Sequence, residues 1–125
     1  VNKQQLSDYL AAKPGAVMEY PFGPDVRVFK VRGKMFALYD PADDPVRVNL
    51  KCDPQEALML RDLFEAVLPG YHMNKRHWNT VLIDGSLPDG EIERMIDNSY
   101  QLVVKGLKKA ERDALALLAA QQADS

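Results

Sequence analysis

The apolar pattern of the chain changes period at Val26, and that switch constrains the fold more than any other feature. Val26 to Arg32 is rich in β-branched and aromatic residues, Gly33 supplies a tight turn, and Met35 to Tyr39 returns. Asp40-Pro41-Ala42-Asp43-Asp44-Pro45 is a polar, proline-bounded loop. Val46-Arg47-Val48-Asn49-Leu50-Lys51 then alternates without a break. A period of two cannot be satisfied by a helix, so these residues predict a three-stranded antiparallel meander.

Helical signals flank it. Leu6, Tyr9 and Leu10 share one face of a helix over residues 3–12, which Pro14-Gly15 stops. Pro21, Gly23 and Pro24 mark a loop. Asp53-Pro54-Gln55-Glu56 predicts a helix start with Asp53 as cap, Pro54 at the first position and Glu56 completing a capping box. Leu60, Leu63, Phe64 and Val67 form its expected buried stripe, ended by Pro69-Gly70. Asn79 to Ile83 predicts a fourth strand and Asp84-Gly85 a turn. Asp89 is the expected cap of a helix whose inner face is Ile92, Ile96, Ser99, Tyr100, Val103 and Leu107. The alanine- and leucine-rich residues 110–120 predict a last helix, with Gln121 to Ser125 frayed. The order predicts an α+β class, an antiparallel sheet with helices packed on one face, in a single domain over 1–125.

Alternation assigns the other face. Val46, Val48 and Leu50 oppose Arg47, Asn49 and Lys51; Phe29 and Val31 oppose Lys30 and Arg32; Phe36 and Leu38 oppose Met35, Ala37 and Tyr39. The solvent face thus collects Lys30, Arg32, Arg47 and Lys51, with Lys34 at the hairpin tip and Tyr39 among them. Arg27 has the other parity. An open antiparallel sheet needs polar residues outside for solvation alone. Cations with an aromatic neighbour also suit phosphates and bases.

His72-Met73-Asn74-Lys75-Arg76-His77-Trp78 holds both histidines and the only tryptophan. The histidines are five apart, which fits neither one helical face nor one strand face, so no metal is expected. His77 has Asp84 or Asp89 as a conceivable partner. No nucleophile motif, phosphate loop or carboxylate pair accompanies it, and no catalytic residue is assigned. Trp78, beside a strand, is expected in the core; Asn74 suits a turn or a positive φ; His77 fixes the turn through a backbone hydrogen bond; Lys75 and Arg76 stay exposed.

Asn74-Lys75-Arg76-His77-Trp78, then Asn79-Thr80-Val81 and Asp84-Gly85-Ser86-Leu87-Pro88-Asp89, resembles the MmcQ/YjbR family of small bacterial proteins. Lys13-Pro14-Gly15, Leu50-Lys51 and Ser99-Tyr100 extend the likeness over roughly residues 6 to 107, leaving 108–125 as a helical tail. The resemblance implies a CyaY/frataxin-like fold and a proposed "double wing" DNA-binding arrangement of β-hairpins. It carries no catalytic role to Asn74, Lys75, His77 or Trp78. Frataxins bind iron through an acidic helix, whereas Asp8 is the one acid of the first helix here, so iron is not expected.

The 125 residues carry a net charge of −2, so any nucleic-acid contact must depend on where the charges lie. Cys52 stands alone, and the opening Val1-Asn2-Lys3-Gln4-Gln5 lacks a signal-peptide pattern, so the reducing cytoplasm is the expected location. No run is long enough to span a membrane. The expectation is a cofactor-free, non-enzymatic, monomeric DNA-binding protein using Lys30, Arg32, Lys34, Arg47, Lys51, Lys75 and Arg76 on phosphates, with Tyr39 stacking. The rival is a protein- or small-ligand-binding module on the same sheet. A continuous positive surface favours DNA; an apolar pocket beside His77 favours a ligand.

Overall fold

The computed structural model describes residues 1–123. The elements are α1 (Lys3–Ala11), β1 (Ala16–Glu19), β2 (Arg27–Val31), β3 (Lys34–Tyr39), β4 (Val46–Lys51), α2 (Pro54–Leu63), β5 (Val67–Pro69), β6 (Trp78–Ile83), α3 (Asp89–Lys105) and α4 (Lys109–Ala123). The strands form one antiparallel sheet in the order β1-β2-β3-β4-β6-β5, and the class is α+β. The meander and β6 match the sequence pattern. The two edge strands do not appear in it. In β1 only Ala16 is even half-buried, so no alternation marks it, and β5 is three residues long and ends in proline.

Local chemistry sets the helix ends. Asn2 and Gln5 form a reciprocal capping box on α1. Asp53 accepts from the Gln55 and Glu56 amides, as expected, but the Glu56 carboxylate turns to Arg94 (2.9 Å) instead of closing a box. Pro88, not Asp89, caps α3; Asp89 is its first residue and accepts from the Val1 amine at 2.6 Å. α2 stops at Leu63, which is 65% exposed and not part of the core. α4 runs through Gln121–Ala123, past its expected end; residues 124 and 125 lie outside the described residues.

The main core lies between the helices and the inner sheet face. Phe29, Val31, Phe36, Val48, Leu50 and Val81 meet Leu6, Leu10, Leu60, Ile92, Ile96 and Tyr100. Phe36 sits edge-on to Tyr100 at 5.4 Å. All six residues expected on the inner face of α3 and just beyond it are buried.

A β-bulge corrects the parity of β3. Phe29 pairs with Ala37 but Lys30 with Met35, leaving Phe36 as an extra residue. Phe36 and Ala37 both join the core, and the parity flips beyond them. Leu38 turns to the outer face with Val28, while Tyr39 turns inward, 3% exposed, and stacks on Phe29 at 6.2 Å. Tyr39 is therefore a core residue and no open stacking platform. The β3–β4 register covers only Ala37↔Leu50 and Leu38↔Asn49. Where it stops, Ser99 of α3 bridges the strands. Its hydroxyl donates to the Phe36 carbonyl (2.6 Å) and accepts from the Lys51 amide (2.8 Å).

Candidate functional site

The sheet face turned away from the main core carries a small apolar cluster of its own: Val28, Leu38 and Trp78, with Val26, Met35 and Met73 packed against it. Trp78 is 9% exposed, buried as expected but on this outer side. The chain between β5 and β6 doubles back over this face. Gly70 donates to the Trp78 carbonyl at 2.9 Å, and a Cβ at Gly70 would lie 2.8 Å from the Trp78 Cβ, so only glycine allows the approach. The Tyr71 amide donates to the Thr80 hydroxyl (2.9 Å), and the Asn49 amide group donates to the Tyr71 carbonyl (3.4 Å).

The turn itself is built by Asn74, whose side-chain oxygen accepts from the Arg76 amide at 2.9 Å. The positive φ falls on His72 (59°), not on Asn74. His77 fixes the turn through its backbone: its amide donates to the Asn74 carbonyl, and its carbonyl accepts from Cys52. Arg61 holds the loop from α2. Its guanidinium donates to the buried Asn79 side chain (2.7 Å), to the Trp78 carbonyl (3.3 Å) and to the Lys75 carbonyl. Arg61 reads in sequence as an ordinary cation at a helix C-terminus. Asn79 is the legible signal: it shares the inward parity of Val81, yet is polar and 2% exposed, so it needs a partner.

The predicted cations separate into three groups. Lys30 pairs with Glu19 at 3.7 Å, and Arg32 with Glu111 of α4 at 3.4 Å. Lys34 opens β3, Lys51 closes β4 and lies opposite Trp78, and Lys75 and Arg76 stand three and two residues before Trp78. Register therefore brings these four to one end of the sheet, Lys51 on the outer face beside Trp78 and Lys34 at the hairpin tip opposite Val31, with the inner parity. Among the described residues none of the four has an ion-pair partner. Arg47 stands at the opposite end of β4, exposed and likewise unpaired among the described residues. Arg27, opposite Tyr39 in register, keeps the other parity.

Around Arg47 the face is concave. A cavity of about 520 Å³ is walled by Phe22, Leu38, Arg47, Tyr71, His72 and Met73, with Asp40 and Asp43 at its acidic side. It lies beside His72 and not, as the ligand alternative anticipated, beside His77. Phe22 (62% exposed) and Tyr71 (61%) arrive on loops from opposite flanks of the sheet, and the Tyr71 and His72 rings touch at 4.0 Å. No sequence signal marks this hollow, because its walls lie far apart in the chain.

Other chemistry is sparse. Burial, with Glu56 and Asp53 nearby, pushes the Cys52 thiol up to about 11, so it is not a thiolate nucleophile at neutral pH. Among the described residues no three His, Cys, Asp or Glu side chains gather to hold a metal ion, and no helix is long and apolar enough to cross a membrane.

Comparison with known proteins follows the same outline. The YjbR family model matches residues 11–102. The uncharacterized protein YjbR of Escherichia coli K12 is 38% identical over 114 residues, 91% of this chain and 97% of its own. YbdF of Escherichia coli O157:H7 is 39% identical over 93 residues, 74% and 76% of the two chains. A Deinococcus radiodurans crystal structure with the DUF419 domain superposes with a TM-score of 0.86 at 37% identity, over 92% of this chain and 88% of that one. A Pseudomonas syringae crystal structure gives 0.72 at 34% identity, over 82% and 98%. With the family motif, the sheet order and these matches together, the chain belongs to the YjbR family.

Proposed function

We propose that this protein binds DNA without catalysing a reaction, as a cytoplasmic monomer, through phosphate contacts at the Lys34–Lys51–Lys75–Arg76 end of its sheet. The observation that carries this reading is their convergence. Three separate segments deliver four cations to one end of the sheet, and no ion pair engages any of them among the described residues. Such a cluster attracts a polyanion locally although the chain is net negative. The β2–β3 hairpin and the 70–77 loop flank it, in the manner of two wings. Arg61 pre-orders the loop, which lowers the entropy lost on binding.

Fluorescence anisotropy with duplex and single-stranded DNA across a salt series tests the proposal. Up to four phosphate contacts give a log–log salt slope of about −3 to −4 on duplex, with non-specific affinity of roughly 10⁻⁴–10⁻⁶ M. The double variant Lys51→Glu, Lys75→Glu is expected to weaken binding and flatten the slope. Lys3→Glu, Lys108→Glu, equally charged but on α1 and beside α4, is expected to matter far less. Absence of binding to any strand at low salt rejects the DNA reading. A second reading, a small-ligand module on the same sheet, is favoured by a different observation: the concavity around Arg47.

A further inference from the structure

We infer that the hollow around Arg47 is a binding site for a small monocarboxylate with a flat, apolar body; this rests on the small-ligand reading and gives it a chemical class. Size comes first. About 520 Å³ falls within the usual range of small-molecule pockets, and the hollow stands on the open face of the sheet, reachable from solvent.

The lining then selects the ligand. Val26 and Leu38 supply an apolar floor, joined by Met73. Phe22 and Tyr71 add two largely exposed rings from opposite flanks. Exposed aromatic rings over an apolar floor suit a planar body, which buries both its faces. Asn49 and Thr80 are already bonded to each other and to the Tyr71 backbone, so the floor and one wall are held in place before anything binds.

Charge fixes the head group. Arg47 is the one Lys or Arg lining the hollow, and its guanidinium has no ion-pair partner among the described residues. A planar fork of donors matches a carboxylate edge. Asp40 and Asp43 line the same hollow, so a second negative charge meets repulsion rather than a second cation. A phosphate dianion is disfavoured by the same acids. The backbone of His72, held at φ 59°, keeps the Tyr71–His72 ring pair at the rim, a conformation uncommon outside glycine.

The test is an amide-resolved NMR titration of the full chain with phenylacetate and indole-3-acetate, against indole-3-acetamide and phenyl phosphate. The expected result is saturable shifts for the two carboxylates, centred on Leu38, Asn49, Tyr71 and Thr80, with the neutral amide and the dianion binding at least several-fold more weakly. Arg47→Ala is expected to reduce carboxylate affinity about tenfold or more, the scale of a lost hydrogen bond to a charged group. Phe22→Ala is expected to reduce it a few-fold, and Lys51→Ala to leave it unchanged. Both Arg47 and Phe22 are exposed, so unchanged spectra elsewhere certify folding. Equal binding of the amide, or tighter binding of phenyl phosphate, overturns the ligand class while leaving a ligand site in place. No saturable shift with any of the four compounds overturns both the class and the small-ligand reading.

Discussion

The two ends of the sheet are built from the same strands but by different means. At one end Lys34, Lys51, Lys75 and Arg76 are brought together by antiparallel register, and Arg61 and Ser99 fix the backbone that presents them. At the other end Arg47 stands alone as Lys or Arg in a hollow whose walls come from the loop before β2, the loop after β3 and the loop after β5. The first end is a projecting cluster of charge without geometry to enclose anything. The second encloses volume with little net charge. A polyanion is met by several spaced cations, whereas a small anion needs one cation and a cavity. The cluster of Trp78, Val28 and Leu38 packs on the outer face and lies between them.

Breaking that cluster gives the largest expected effect. Trp78→Ala is expected to cost about 3–5 kcal/mol in chemical denaturation, as for a buried aromatic. It also frees Met73 and the loop that forms one wall of the hollow and carries two cations. Both ends should therefore lose binding together. A loss below about 1 kcal/mol would mean that Trp78 supports neither, and the loop would then hold its shape through Arg61 and Gly70 alone.

Charge reversal separates the ends. Lys51→Glu with Lys75→Glu is expected to lower the magnitude of the duplex-DNA salt slope by nearly two, about 0.9 for each phosphate no longer neutralised. Arg47→Glu, at the far end of β4, is expected to change that slope by less than about 0.9 while abolishing carboxylate binding. Equal effects of the two changes on the slope would show that DNA senses only the total charge of the face, and the distinction between the ends would fall.

The inner half of this architecture is legible in the sequence because burial imposes a period. Val46 to Lys51 alternates and forms β4 over those same residues; Ile92, Ile96, Ser99, Tyr100 and Val103 recur with helical spacing and are all buried. The bulge at Phe36 is not legible, since an inserted residue leaves no mark in a run where Phe36, Ala37, Leu38 and Tyr39 are all apolar or aromatic. That one residue moves Tyr39 from the expected binding face into the core. Cation positions on β4 follow from parity, but the partners of Lys30 and Arg32 do not. Glu19 lies on the unrecognised edge strand and Glu111 on the tail helix, both remote in sequence from the cations they meet. The hollow depends wholly on loop paths, which no periodicity encodes.

The smallest effects test the cations that are already paired. Lys30→Ala and Arg32→Ala are each expected to change DNA affinity little, because Glu19 and Glu111 offset their charge, and to change stability by no more than about 1 kcal/mol, the worth of an exposed ion pair. The converse variants are more informative. Glu19→Gln leaves Lys30 on the outer face without its counter-charge, and Lys30 pairs across the sheet with Met35, one residue from Lys34. It should therefore steepen the salt slope by up to about 0.9, the share of one more neutralised phosphate. Glu111→Gln releases Arg32, but at the hairpin turn and toward α4, so a smaller steepening is expected. Steepening in Glu19→Gln that disappears when Lys30→Ala is added assigns the effect to Lys30. Steepening that persists in the double variant means that the acid itself repels DNA, and that the cationic end benefits from lower acidity around it rather than from one more cation.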